Sequence, residues 1–190
     1  MALTRPPGTW VYEDLFALPE DGTRYEIIEG DLYVLPRVGS VHATVVMNLI
    51  LELLPFVRSL GGQLVTAPLD VFFPRADPVQ PDILAILPGS RAIGGGRGVE
   101  GPPDLVIEVV SPGHRVHDLL TKRALYGLVG VREYWVVDPA DRTVEILTLD
   151  RDALRTLQTA SGEDIVISPL LGGFTLPLAT IFARLDDIED

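Results

Sequence analysis

The feature that most constrains this sequence is the apolar run Leu105–Val110, which contains a single acidic residue, Glu108. Branched aliphatic residues in an unbroken run are typical of a central strand that is buried on both faces of its sheet. A carboxylate inside such a strand is costly unless another group compensates its charge. The run therefore predicts a covered sheet with a compensating partner beside Glu108.

The patterns on either side predict hairpins and helices around this strand. Residues 24–35 predict a hairpin that turns at residues 29–31. Two amphipathic stretches predict helices at 41–60, kinked or ended early by Pro55, and at 116–130. Further short apolar runs predict strands at 63–66, 70–73, 83–87, 133–138 and 143–149, with strand-like runs at 154–159 and 165–167 and a short helix within 176–185.

Segment 89–101 is rich in glycine and is predicted to be a loop. Local hairpins are thus mixed with helical crossover connections. This mixture predicts an α/β (α+β) fold in which helices flank a mixed central sheet, with extra hairpins towards both ends. At 190 residues we expect a single domain over residues 1–190.

The composition limits the cofactor and the location. The chain has no cysteine, so a bound metal must use oxygen or imidazole ligands, which favours Mg²⁺ or Mn²⁺. The first residues contain no apolar signal region, and no stretch approaches the roughly 20 apolar residues of a membrane span. We expect a cytoplasmic protein without a membrane partner.

Asp82 stands at the head of one apolar strand and Glu108 lies inside another. If these strands are neighbours, the two carboxylates converge, and with water they make an oxygen site suited to magnesium. The alternative for Glu108 is a structural ion pair with a buried arginine. We expect metal ligation by Asp82 and Glu108.

Positions 115, 118, 122 and 126 share one face of the second predicted helix. Lys122 could therefore point at the strand carboxylates and stabilise charge on a phosphoryl oxygen, with Tyr126 on the same side. The alternative is a solvated pair between Lys122 and Asp118.

The order and spacing of these residues resemble a known family. The chain is similar to the "putative restriction endonuclease" family called Uma-two, within the PD-(D/E)XK nuclease superfamily, from residues 25–26 through to 167–170 and 174. The matching segments are PD at 81–82, PDLVIEVVSP at 103–112, Asp118, Lys122, Tyr126, GV at 130–131, EYW at 133–135 and VDP at 137–139.

This resemblance implies a restriction-endonuclease-like fold and a metal-dependent endonuclease that hydrolyses DNA. It implies that Asp82 and Glu108 are catalytic metal ligands. Valine stands where the superfamily motif has its lysine, and Lys122 on the following helix takes that role. Glu26 and His42 are accessory candidates by the same resemblance, and Tyr126 joins them from its helical position.

The net charge of −12 opposes a nucleic-acid partner, because phosphate contacts require basic surface. A local positive face could arise from Arg91, Arg97, Arg115, Lys122, Arg123 and Arg132. The alternatives are a non-catalytic binding or assembly module that keeps the nuclease fold, and a hydrolase of another phosphate ester. Spare strand edges further predict a homodimer or higher homo-oligomer.

Overall fold

The computed structural model describes residues 5–19, 21, 23–35, 39–74, 76–111 and 117–188, and the side chains of residues 24, 35 and 117–119 lie outside this description. The strands are β1 (Arg24–Ile28), β2 (Asp31–Leu35), β3 (Gln63–Thr66), β4 (Val71–Phe73), β5 (Ala76–Val79), β6 (Ile83–Ile86), β7 (Ile93–Gly95), β8 (Gly98–Glu100), β9 (Leu105–Val109), β10 (Glu133–Asp138), β11 (Thr143–Asp150), β12 (Ala153–Ala160), β13 (Ile165–Ser168) and β14 (Phe174–Pro177). The α-helices are α1 (Ser40–Ser59), α2 (Arg123–Val129) and α3 (Leu178–Ile181), with 3₁₀ turns at Tyr12–Ala17 and Leu185–Asp187 and a π-helical turn at His117–Lys122.

The central sheet has six strands in the order β12-β11-β10-β9-β6-β3. Only the β9–β10 pair in it is parallel, and the other neighbours are antiparallel. The π-helical turn and α2 lie between β9 and β10 in the chain, as a parallel crossover requires. The predicted mixed sheet with flanking helices is confirmed.

Two apolar layers cover the two faces of this sheet. Alternation along β9 sends Leu105, Ile107 and Val109 into the layer that contains α1. Val106 enters the opposite layer, which contains α2 and the four-stranded sheet formed by β4, β5, β7 and β8. Because side chains alternate along a strand, Glu108 belongs to the α2 side.

The strand Glu133–Asp138 carries a second buried acid, on the opposite face. Glu133 is completely buried and accepts hydrogen bonds from Trp135 Nε1 at 2.8 Å, Ser168 Oγ at 2.6 Å and the Leu170 amide at 3.1 Å. These bonds tie the end of β13 to the central sheet. Neutral donors therefore satisfy this carboxylate, away from the α2 face.

Helix α1 continues past Pro55, so the expectation that proline would end it early was wrong. Proline inside a helix costs about 3 kcal/mol, whereas burial of each large aliphatic side chain contributes about 1.5–3 kcal/mol. Val45, Leu49, Leu53 and Val57 of this helix are all 0% exposed, so packing outweighs the break.

Helix α1 also corrects the expectation about membrane-length segments. It has 20 residues, and an 18-residue window within it has a mean hydropathy of 1.6, so it is long and apolar enough to cross a membrane by length and composition alone. Core helices meet the same test, and the buried face of α1 belongs to the core layer. The helix is thus no decisive sign of a membrane partner.

The glycine-rich segment was predicted to be a loop. It contains the β7–β8 hairpin instead. This hairpin joins β4 and β5 in a four-stranded sheet ordered β5-β4-β8-β7. The pairing of Val71 with Val99 and of Phe72 with Glu100 is long-range and therefore leaves no periodic local pattern. Strands β5 and β14 were also missed, although each pairs with the strand just before it in the chain, β4 and β13 respectively.

Candidate active site

Glu108 meets a lysine and a tyrosine on the α2 side of the sheet. Lys122 Nζ lies 2.9 Å from Glu108 Oε1, and the Tyr126 hydroxyl donates to the same oxygen at 2.7 Å. All three residues are at most 3% exposed. Lys122 ends the π-helical turn and Tyr126 follows one turn later, so both share the helix face that covers β9.

Glu26, on β1, completes the buried charge cluster. Its Oε2 lies 3.4 Å from Lys122 Nζ, and its Oε1 accepts a hydrogen bond from the backbone amide of Gln80 at 3.3 Å. One ammonium group therefore contacts two carboxylates in a site that excludes bulk water. The cluster consists of Glu26, Glu108, Lys122 and Tyr126.

Asp82 lies beside this cluster, at the start of β6. Ile83 pairs with Ile107 in the antiparallel register, so one step further Asp82 is opposite Glu108. Asp82 Oδ2 accepts the Val109 amide at 2.8 Å and lies 3.0 Å from His42 Nε2. Strands β6 and β9, which position Asp82 and Glu108, are therefore neighbours in the sheet, as the convergence of the two acids requires.

His42, on the first turn of α1, contacts Asp82 through one ring nitrogen. Its Nδ1 is buried and has no hydrogen-bond partner within the described part of the chain. Both residues line a groove of about 350 Å³, together with Val46, Ala67 and Pro68. Asp82 is 8% exposed, so its carboxylate is the acid of the site that borders an open space.

The residues present suit a hard divalent cation by their donor chemistry. Asp82 and Glu108 supply carboxylate oxygens, which Mg²⁺ and Mn²⁺ prefer. Asp82 Oδ2 is used by the Val109 amide and His42, whereas no bond to Oδ1 occurs among the described residues. Across that same part of the chain, no group of three or more His, Asp or Glu residues is close enough to hold a metal ion.

Burial governs the protonation of Tyr126. Desolvation raises the pKa of its hydroxyl well above the ordinary value of 10.0, and the charges of Glu108 and Glu26 raise it further. The hydroxyl therefore keeps its proton at neutral pH and donates it to Glu108 in a hydrogen bond.

The structure bears on both alternatives drawn from sequence. Glu108 does form a buried ion pair, as the structural alternative expected, but the partner seen is Lys122. Lys122 is buried, so it does not belong to a solvated face with Asp118, whose side chain lies outside the described residues.

The proposed local positive face is also weaker than expected. Arg97, Arg123 and Arg132 each lie within ion-pair distance of an acidic residue. Lys122 is buried and Arg91 donates to the Gly130 carbonyl. Arg115 lies outside the described residues.

One signal in the sequence was missed. Lys122 is the chain's only lysine, because all other members of its 15 Lys and Arg residues are arginine. A polar network beside the cluster was missed too. In it Gln80 Nε2 donates to Asp70 Oδ1 at 2.9 Å, and the Tyr12 hydroxyl donates to Asp70 Oδ2 at 2.7 Å.

Comparison with protein-family models matches residues 12–179 to Uma2, described as "Putative restriction endonuclease". This chain belongs to the Uma2 family. Its fold is similar to the crystal structure of a "putative nuclease belonging to DUF820" from Anabaena variabilis, with a TM-score of 0.70 and 19% identity, covering 90% of this chain and 96% of that one. No curated protein gives a significant match. The resemblance is therefore confirmed, the nuclease-like fold class is shown, and the family supports a nuclease function in general terms.

Proposed function

We propose that this Uma2 protein is a metal-dependent endonuclease that hydrolyses phosphodiester bonds in DNA. In this proposal Asp82 and Glu108 bind Mg²⁺ or Mn²⁺, and Lys122 assists the reaction. The family match and the similar fold support nuclease chemistry in general. The finer proposal depends on one observation, the burial of the only lysine of the chain between two carboxylates.

The choice of lysine at position 122 supports a chemical role. Arginine has a planar, rigid fork of donors, whereas lysine is a compact charge with three rotatable donors. Every other basic side chain in this protein is arginine, including those in the surface ion pairs. A purely structural counter-ion could have been arginine as well, so the exception occurs where a mobile ammonium is useful.

A divalent cation held by Asp82 and Glu108 would offset the charge of the phosphate and favour deprotonation of the attacking water. Hydrolysis also requires that negative charge on the phosphoryl oxygens be stabilised as the leaving oxygen departs. Lys122 can supply this stabilisation by turning its ammonium group from the carboxylates to the substrate. Binding energy from the phosphate would compensate the lost contacts.

The surrounding residues hold the acids in place. Tyr126 keeps its proton and makes a hydrogen bond to Glu108 Oε1, which orients the carboxylate. His42 and the Val109 amide contact one oxygen of Asp82. The groove beside Asp82 supplies access for a phosphate group.

Cleavage of plasmid and linear DNA in Mg²⁺ and in Mn²⁺ tests the proposal, using the wild type, Glu108→Gln and Lys122→Arg. We expect both variants to lose cleavage by at least about 100-fold, because each removes charge or geometry at the reacting phosphate. Glu133→Gln is the matched control, since it makes the same change at another buried acid on the opposite face of the sheet. Cleavage that persists in Glu108→Gln but disappears in Glu133→Gln would refute the assigned site.

One observation favours the alternative, a non-catalytic binding or assembly module that keeps the fold. Lys122 already offsets part of the charge of the two acids, and no three-residue metal cluster occurs in the part of the chain described. Calorimetric titration with Mg²⁺ and Mn²⁺ separates the two functions. Metal binding that is lost in Asp82→Asn/Glu108→Gln supports the nuclease, whereas absence of both metal binding and cleavage in the wild type supports the module.

Three expectations from the sequence stay predictions. They are the single domain, the cytoplasmic location and the homodimer or higher homo-oligomer. Light scattering of the purified protein would contradict the last of these by giving a monomeric mass.

A further inference from the structure

Three aromatic rings and an arginine form a partly exposed group outside the charge cluster. The Tyr12 ring lies edge-on to Phe16, with ring centres 5.4 Å apart, and edge-on to Phe72 at 5.6 Å. Arg97 Cζ lies 5.0 Å from the centre of the Phe72 ring. We call this group of Tyr12, Phe16, Phe72 and Arg97 the aromatic platform.

The platform presents both apolar and cationic groups to solvent. Phe16 is 77% exposed, the highest value among the large apolar residues described, and the Arg97 side chain is also 77% exposed. Isolated exposed aromatic residues are common and need no explanation. Here, however, the exposed ring is held by a second ring, and an exposed guanidinium lies over a third.

The backbone holds Arg97 at this position. Gly98, with a φ of +150°, passes so close to β4 that an added Cβ would lie 2.2 Å from the Asp70 carbonyl oxygen. Val99 donates to that carbonyl at 2.9 Å, and Phe72 pairs with Glu100. The hairpin that carries Arg97 is therefore fixed against the strand that carries Phe72.

A polar chain connects the platform to the charge cluster. The Tyr12 hydroxyl donates a hydrogen bond to Asp70, which also accepts one from the Gln80 side chain. The backbone amide of Gln80 in turn donates to Glu26. Gln80 also lies two residues before Asp82. Hydrogen bonds thus join the platform to Glu26 of the charge cluster.

We propose that the aromatic platform binds an unpaired base of the nucleic-acid strand whose phosphate occupies the candidate active site. This inference rests on the proposed function. Every base has a π face that stacks on an aromatic ring, and a guanidinium can stack on a base or bind the adjoining phosphate. Glu100 Oε1, 3.9 Å from Arg97 Nη2, is the acid that the incoming phosphate would have to displace from the arginine.

This occupant also fits an acidic protein. With a net charge of −12, broad electrostatic attraction cannot hold a nucleic-acid strand. Stacking does not depend on a basic surface, so a small aromatic platform can supply affinity that the overall charge does not. The same property predicts a preference for single-stranded or locally unpaired substrates over a regular duplex.

Fluorescence anisotropy tests the platform with a labelled 12-nucleotide oligothymidine and a fully paired hairpin, in Mg²⁺ and in a Glu108→Gln background to prevent cleavage. We expect Phe16→Ala to weaken binding of the single strand by about 5- to 100-fold, the range for loss of one stacked base. Phe16→Leu should lose as much, because it keeps an apolar side chain but no ring, whereas Phe16→Trp should retain binding. In a plot of the logarithm of the binding constant against the logarithm of salt concentration, Arg97→Ala should reduce the magnitude of the slope by about 1, as expected for one lost phosphate contact.

Leu157→Ala is the matched control, since Leu157 is an exposed apolar residue (56% exposed) on the edge strand β12 and should leave binding unchanged. Thermal unfolding should hardly change in Phe16→Ala, because its ring is mostly in water. Unchanged single-strand binding in Phe16→Ala would overturn the platform and leave the nuclease proposal intact, whereas a wild type that binds neither oligonucleotide would overturn both. A change of mass in light scattering, without a change in oligonucleotide binding, would make the platform a protein interface instead.

Discussion

Replacement of Lys122 by methionine removes a buried cation that contacts both Glu26 and Glu108. The Lys122 Nζ lies 3.4 Å from Glu26 Oε2 and 2.9 Å from Glu108 Oε1, and all three side chains are at most 4% exposed. At an effective dielectric constant of about 20, each contact is worth about 5 kcal/mol before desolvation is counted. Most of this attraction is offset by the cost of burying the charges, and removal of one partner from a buried pair typically costs about 3–5 kcal/mol.

We therefore expect Lys122→Met to lower the free energy of unfolding by about 3–5 kcal/mol. For a chain of this size that corresponds to a fall in Tm of about 6–20 °C. Urea unfolding followed by tryptophan fluorescence measures the change, because Trp10 and Trp135 are both buried. Arg155→Met is the control: its ion pair with Asp150 is 3.9 Å long and mostly exposed, so the loss should stay below about 1 kcal/mol.

A second substitution separates charge from packing. If repulsion between Glu26 and Glu108 causes the loss, Lys122→Met/Glu108→Gln should be more stable than Lys122→Met by about 1–3 kcal/mol. Stability of Lys122→Met within about 0.5 kcal/mol of the wild type would refute a buried ion pair, since that range is typical of surface substitutions. A double variant that is less stable than Lys122→Met would refute the repulsion argument.

Further predictions concern three other groups. Tyr126→Phe should lower the free energy of unfolding by about 1.5–3 kcal/mol in urea titration, because it removes a buried hydrogen bond to the charged Glu108; a smaller loss in Glu108→Gln/Tyr126→Phe than the sum of the single changes would identify that bond as the cause. Glu133→Leu should cost roughly 3 kcal/mol or more in the same assay, because three donors lose their shared acceptor; a stability equal to the wild type would contradict that network. Burial, followed by the bond to Asp70, raises the pKa of Tyr12 from 10.0 to about 12, so its contribution to stability is fully present below pH 10 and is lost as the pH rises towards 12. Ultraviolet titration of Asp70→Asn should show one tyrosine ionising at lower pH than in the wild type, and an unchanged titration curve would refute the role of the Asp70 charge.

Several parts of the fold could be predicted because their signals are local. The turn at Glu29 and Gly30 has positive φ angles of 53° and 77°, and a Gly at the second position makes such a two-residue hairpin turn favourable. The buried face of α1 follows from its helical period, and Gly130 ends α2 with a left-handed φ of 91°. In each case neighbouring residues determine the backbone conformation.

The candidate site could likewise be predicted only where its signals are local. An acid within an apolar strand required a compensating partner, so the importance of Glu108 could be seen in the sequence. Helical spacing put Lys122 and Tyr126 on one face. The orientation of that face towards β9, rather than towards solvent, depended on how the helix packs.

What the sequence by itself determined were the strands and helices with clear periodicity, the buried acid, and the absence of thiolate ligands. Only the tertiary structure decided that Lys122 pairs with Glu108, that Glu26 joins it from a distant hairpin, and that β7 and β8 lie in a second sheet. The physical reason is that periodicity records which face of an element is buried, whereas the partner across that face is selected by packing between residues far apart in the chain.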